Sequence, residues 1–386
     1  MEKVDSRKRA AQALNHQEPD RIPIDFGGSV CSSIHRDAYV QLKRHLGLEV
    51  EELTIIDPFQ QLPYVDERLM ERFGSDFRML QLPAVEMQGV EVFEDGPYYA
   101  FIDHFGAKVH MPKDGGLYYD WVEFPIKEAS MEALDAYTWP ALDSPDYLAR
   151  LRERAQVLRE NTDYALTGSA ILGGGIFEQP ATMMGYEGFL IALVREPAFA
   201  DRLMDQLTDL YIESCNNYLE QVGEFLDVFV YCDDVCGQNG WLISPDLYRR
   251  LVKPKQKRLI EAIKAKTEAK VFYHGCGAIS EQIPDLIDIG VDIINPVQVS
   301  AAGMDTKWLK KTYGRDMVFW GGGVDTQHVL PFGTPEQVAD EVKRRIDDLA
   351  PGGGFVFAAV HNIQAQVPPE NIIAAFETAL EVGCYG

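Results

Sequence analysis

The chain has 386 residues, 46% of them hydrophobic, and a formal charge of −24. Its length and apolar content suit one large barrel or two smaller domains. The charge argues against nucleic acid, an anionic membrane surface or a strongly polyanionic substrate, and favours small neutral or cationic ones.

The N-terminal Met1–Arg7 stretch leads into a polar helical pattern with no apolar signal core, and no apolar run approaches a membrane span. A cytoplasmic protein without a membrane partner is expected. Six dispersed cysteines, Cys31, Cys215, Cys232, Cys236, Cys276 and Cys384, read as free thiols or ligands rather than a disulfide frame. The x3 spacing of Cys232 and Cys236 is not that of a redox pair, so both are expected to pack.

In chain order, a short helix leads to a first strand at Arg21–Phe26, which stops at Gly27-Gly28. A helix over Ile34–Leu46, a second strand at Thr54–Ile56 and a helix over Pro63–Phe73 follow. From Val85 to Ile126, aromatic and β-branched residues alternate with polar ones between Asp-Gly turns, the pattern of an antiparallel hairpin excursion. Tyr147–Glu160 is an amphipathic helix, Tyr164–Gly168 a buried strand, and Glu187–Val222 two helices broken at Glu196-Pro197. Regular alternation then gives strands at Leu226–Tyr231, Lys270–Tyr273, Val291–Asn295, Met317–Trp320 and Gly354–Ala358, each followed by a helix. Eight strands with intervening helices predict an α/β fold of the (β/α)8 TIM-barrel type. We expect a single domain over residues 1–386, with the hairpin insertion at about 77–126, between strands two and three. A doubly wound open sheet is the rival, disfavoured because no GxGxxG turn follows an early strand.

A barrel places chemistry at the C-terminal ends of its strands. His274-Gly275-Cys276 ends strand five, and in extended chain residues i and i+2 face the same side, so two soft ligands can converge on one ion. With His361 after strand eight they would form a three-ligand zinc site with an open fourth position. Capping of the strand by the pair, with His361 bonded to a backbone carbonyl, is the plainer alternative. Asp233-Asp234 ends strand four; one member can serve as acid, base or substrate anchor while the other caps a turn. Glu178, Gln238, Gln298, Asp325 and Asn362 complete the polar strand ends.

These residues carry a family resemblance. Asp234 with Ser244-Pro245-Asp246-Leu247-Tyr248, His274-Gly275-Cys276-Gly277, Gly290-Val291-Asp292 with Asn295-Pro296-Val297-Gln298, Gly322-Gly323-Val324-Asp325, Pro368-Pro369-Glu370-Asn371 and Arg21-Ile22-Pro23 together resemble the uroporphyrinogen decarboxylase superfamily. The resemblance implies a (β/α)8 barrel and two branches of activity. True decarboxylases carry an arginine-rich stretch after the first strand to hold the porphyrinogen carboxylates. Here Phe26-Gly27-Gly28-Ser29-Val30-Cys31 offers no arginine until Arg36. The zinc-dependent methyltransferase branch, which exchanges methyl groups with a corrinoid protein, uses a His-x-Cys pair, matched by His274 and Cys276, and a later Cys, replaced here by His361.

The imidazole makes the site one charge more positive, which suits polarising an ether or alcohol oxygen. The resemblance therefore implies a zinc-dependent methyltransferase acting between a small O- or N-methylated substrate and a corrinoid (cobalamin) on a partner protein. Zn2+ would lie on His274, Cys276 and His361, with Asp234 and Glu178 catalytic and Asp233, Gln238, Gln298, Asp325 and Asn362 contacting substrate. A decarboxylase-like lyase and a non-catalytic tetrapyrrole- or corrinoid-binding barrel are the alternatives, and a homodimer is left open.

Overall fold

Short runs of β-branched and aromatic residues become the staves of a parallel barrel in the computed structural model, which describes residues 4–82, 90–171 and 173–385. Seven strands form one sheet in spatial sequence: Phe77–Met79, Ala165–Gly168, Val228–Cys232, Lys270–His274, Ile293–Asn295, Val318–Trp320 and Phe355–Val356. Ile24 supplies the eighth position, pairing in parallel with Ser75 on one side and Phe357 on the other, which closes the barrel. Counted from Ile24, Phe77–Met79 is strand two, Ala165–Gly168 strand three, Val228–Cys232 strand four, Lys270–His274 strand five, and Phe355–Val356 strand eight.

The expected second strand is corrected. Ile55–Asp57 pairs antiparallel with Leu62–Pro63 outside the barrel, and Phe77–Met79 takes strand two. Arg78 disguises that strand. Its guanidinium is buried by a bidentate contact with Glu67, bonds to the Ser75 and Phe77 carbonyls, and a seat 3.4 Å over the Tyr164 ring.

Between strands two and three stands the expected antiparallel insertion, a four-stranded meander of Phe93–Asp95, Tyr98–Ile102, Lys108–Pro112 and Asp120–Glu123. It has its own core of Phe101, Val109, Met111 and Tyr119, against which Phe59 and Trp121 pack. Val85 and its neighbours, expected to begin this excursion, lie outside the described residues, as do Met1, Glu2 and Lys3.

Alternation along the strands divides the core into two layers. Phe77, Val228, Val230, Phe272, Ile293, Val318, Trp320 and Val356 share the barrel interior, where Trp320 meets Phe77 at 4.3 Å and Phe272 at 5.2 Å between ring centroids. Leu166, Phe229, Tyr231, Val271, Tyr273, Ile294 and Phe319 face outward and bury against the helices. The helix pair expected at the Glu196-Pro197 break is observed as Tyr186–Arg195 and Pro197–Val222. Among the described residues, no helix is long and apolar enough to cross a membrane.

Candidate metal centre

Strand five ends with His274, whose neighbour in register on strand four is Cys232 and on strand six Asn295. Asn295 is fully buried; its Nδ2 donates to the Trp320 carbonyl at 3.0 Å, which turns its Oδ1 toward His274 Nδ1 at 2.6 Å. An acceptor there requires Nδ1 to carry the proton. The lone pair is therefore on Nε2, the nitrogen that faces the barrel mouth, and this is the outer-shell device that holds a ligating histidine in one tautomer.

Nε2 lies 3.5 Å from Cys276 Sγ. Zinc–nitrogen and zinc–sulfur bonds of about 2.0 and 2.3 Å at a tetrahedral angle put those atoms roughly 3.5 Å apart, so the pair is already spaced for one ion. His361 joins them: one ligand atom from each of His274, Cys276 and His361 lies within 4.8 Å of the others, and the two imidazole rings are 5.3 Å apart. Burial, then the neighbouring His274, hold the His361 imidazole down at about 3, so it stays neutral and competent to ligate across the physiological range. Burial, then the Asp234 and Glu178 carboxylates, push the Cys276 thiol well above its ordinary value. A thiolate at this position therefore requires a compensating cation, which a metal supplies. Tautomer, spacing and charge all fit a zinc-type ion on these three residues.

The centre opens into a cavity of ≈ 390 Å³. Asp234 lines it and braces the ligand loop, its Oδ1 accepting from the Cys276 backbone N–H at 2.8 Å. Glu178, first residue of the short helix Glu178–Met184, also lines it. Burial, then the carboxylates of Asp234 and Asp233, raise the Glu178 carboxyl well above its usual range, which favours a protonated acid beside the centre. Asn362 lines the cavity with both side-chain atoms engaged, accepting from Ser33 N at 2.7 Å and donating to Gln60 Oε1 at 3.0 Å.

The other residues expected to touch substrate are placed elsewhere. Asp233 is fully buried below the cavity. Its carboxylate accepts from Tyr231 Oη and Gln256 Nε2, both at 2.7 Å, and from the backbone N–H groups of Phe177 and Glu178, each at 3.0 Å. It thereby caps the N-terminus of the Glu178–Met184 helix from another strand. Burial still pushes its carboxyl up to about 6. Gly175 makes room for it, since a Cβ there would lie 2.4 Å from the Asp233 side chain. Gln298 accepts from Gly277 N at 2.6 Å and donates to Gln238 at 2.7 Å, so these two glutamines support the ligand loop from outside. Asp325 engages Gln327 N and His328 Nδ1, each at 2.8 Å, away from the cavity lining.

Sequence reasoning did not single out several lining residues. Cys31 and Cys232 bring their sulfurs to 3.9 Å beside the centre, whereas Cys232 was expected only to pack. Asp103, His104, Phe105 and Trp121 arrive from the antiparallel insertion, which folds over the mouth, and Asp57 and Phe59 from the segment outside the barrel. Of these, Asp57 and Cys232, at expected strand ends, carried a local signal. Among the described residues no lysine or arginine lines the cavity, and Arg36, the first arginine past strand one, turns to Gln61 Oε1 at 2.6 Å.

A family profile described as Uroporphyrinogen decarboxylase (URO-D) matches residues 99–382. Uroporphyrinogen decarboxylase of Syntrophotalea carbinolica is 29% identical over 270 residues, spanning 66% of this chain and 69% of that protein. The Thermus thermophilus enzyme of the same name is 26% identical over 48% of this chain and 50% of its own length. Among solved structures, a methyltransferase from Methanosarcina mazei superposes with a TM-score of 0.65 at 16% identity, covering 98% of this chain and 99% of that one. At that identity the likeness speaks for the shared fold.

Proposed function

The chain belongs to the uroporphyrinogen decarboxylase family, and from that premise we propose that it is a zinc-dependent methyltransferase, moving a methyl group between a small O- or N-methylated substrate and a corrinoid on a partner protein. The convergence of His274 Nε2, Cys276 Sγ and His361 at the barrel mouth carries the reading. A bound zinc ion would act there as a Lewis acid on the heteroatom from which the methyl group departs.

The chain's own groups do the rest. Asn295 fixes the face His274 presents, and Asp234 holds the Cys276 loop through its backbone N–H. Glu178, whose carboxyl is pushed upward by burial and then by the Asp234 and Asp233 carboxylates, would be the group to place a proton on the leaving heteroatom. Asp103, His104, Phe105 and Trp121 of the insertion line the cavity and would help to limit water at the reacting end.

The names of the curated relatives favour a decarboxylase instead. A cavity lined by Asp57, Asp103 and Asp234, with no lysine or arginine among its described lining residues, is the wrong electrostatic partner for a carboxylate-rich tetrapyrrole. Metal analysis of protein purified without chelator, followed by turnover with Co(I) cobalamin and a panel of methyl ethers, methylamines and methanol, tests the proposal. About one zinc per chain, lost in Cys276→Ala, is expected from a three-ligand site. Zinc-free protein, or decarboxylation of uroporphyrinogen without methyl transfer, refutes it.

A further inference from the structure

The part of the cavity built by the insertion has a chemistry of its own. Asp57 lines the cavity with a carboxylate that accepts from Gln60 N at 3.1 Å, Gln60 Nε2 at 2.9 Å and the Phe59 backbone N–H, with no lysine or arginine among these partners. Phe59 stacks on Trp121 at 5.1 Å and 26°, and both rings line the cavity with Phe105. His104 Nε2 is buried and has no protein partner. A polar ring atom buried without a partner costs free energy unless a ligand supplies the hydrogen bond.

Gln60 continues from Asp57 to Asn362, the residue after the ligand His361, so this subsite and the metal centre are joined by two hydrogen bonds along one wall. A carboxylate without a cationic partner and aromatic rings together make an environment that attracts cations and repels anions.

We propose that Asp57, Phe59, His104, Phe105 and Trp121 form a subsite for a cationic ammonium group of the substrate, which places its methylated heteroatom toward His274, Cys276 and His361. The substrate class is then a methyl ether or methylamine that carries a separate ammonium group. The orientation rests on the methyltransferase reading, but the cation preference does not. Burial, opposed by the Gln60 hydrogen bonds, raises the Asp57 carboxyl, as expected of an acid that lacks its countercharge. The net charge of −24 favours approach of the same class of molecule.

The test is calorimetric titration of the full chain, both chelator-treated and zinc-loaded, with three matched probes: 4-methoxybenzylamine, its neutral isostere 4-ethylanisole, and 4-methoxyphenylacetate. The ammonium probe should bind at least about tenfold tighter than the neutral one, with the anion weakest, in both preparations. Asp57→Asn should remove most of that tenfold while leaving the neutral ether within about twofold. Trp121→Leu, read the same way, covers the case in which Asp57→Asn fails to fold. Equal or tighter binding of the neutral or anionic probe, a cation preference that survives both variants, or no binding by any probe overturns the proposal. Failure of the metal reading alone would appear as missing zinc and leave the ranking of the probes unchanged.

Discussion

Replacing Asn295 with leucine isolates the device that prepares His274. Asn295 bridges His274 Nδ1 at 2.6 Å and the Trp320 carbonyl at 3.0 Å with no exposure to solvent. Leucine matches its shape but strands a buried N–H and a buried C=O. Each stranded group costs about 1–3 kcal/mol, so the free energy of unfolding should fall by about 2–6 kcal/mol. The imidazole also loses its tautomer lock and becomes free to ligate through the wrong nitrogen. Loss of such an outer-shell partner costs about 10–100-fold in metal affinity, or about 1.4–2.8 kcal/mol. The assay is competition for zinc against a chromophoric chelator, run on variant protein that retains its circular dichroism, with His274→Ala as the limiting case. A folded Asn295→Leu protein with the zinc affinity of the wild type would refute the account of this site. Asn295→Asp provides a second reading: it keeps the acceptor for His274 but sets an oxygen against the Trp320 carbonyl, so stability should fall further than affinity.

Other consequences are as direct. Asp233→Ala strands the Tyr231, Gln256, Phe177 and Glu178 donors together; guanidinium unfolding should show a loss of about 3–5 kcal/mol, whereas a purely substrate-binding residue would leave stability unchanged. Trp320→Ala empties the middle of the barrel and should cost about 3–5 kcal/mol by the same measurement. Asp25 is fully buried and pushed up to about 6 by burial, against hydrogen bonds from Ser32, Gly28, Trp320 and Ser29. Its folded value lies above its unfolded one, so the folded state holds the proton more tightly. The contribution is complete below pH 4 and is lost as pH rises through 6, by on the order of 3 kcal/mol. Asp25→Asn should flatten the stability profile between pH 4 and 6, and an unchanged slope would count against that assignment.

The later strands were legible because they are β-branched or aromatic runs that end in glycine or polar residues, a pattern that burial on both faces imposes. Strand two was not, because Phe77-Arg78-Met79 reads as weaker than Thr54-Ile55-Ile56 until the partners of Arg78 are known. The pairing of His274 and Cys276 follows from extended geometry, and the approach of His361 from closure of the barrel. Asp233 and Asp234 show where local reading stops. They are adjacent and chemically identical, yet alternation sends one into the core as a cap and the other to the cavity. The roles of His104 and Trp121 depend on how the insertion folds back over the mouth, and no local spacing encodes that approach.

The joint at Ile24 bears on the order of assembly. Ile24 meets Ser75 and Phe357 through one residue, and side chains stand in for missing ladder rungs: Asp76 accepts from Ile24 N at 2.9 Å and is itself clamped by Arg9 and Arg21, while Ser75 Oγ accepts from Phe26 N at 3.1 Å. A segment made more than 300 residues before Phe357 can therefore complete its bonds only when residue 357 has been made. Closure should be the last event of folding, and a ribosome-bound chain stopped before Phe355 should expose the Asp25 N–H, whose acceptor is the Phe357 carbonyl at 2.8 Å, to hydrogen exchange while its middle strands are already protected.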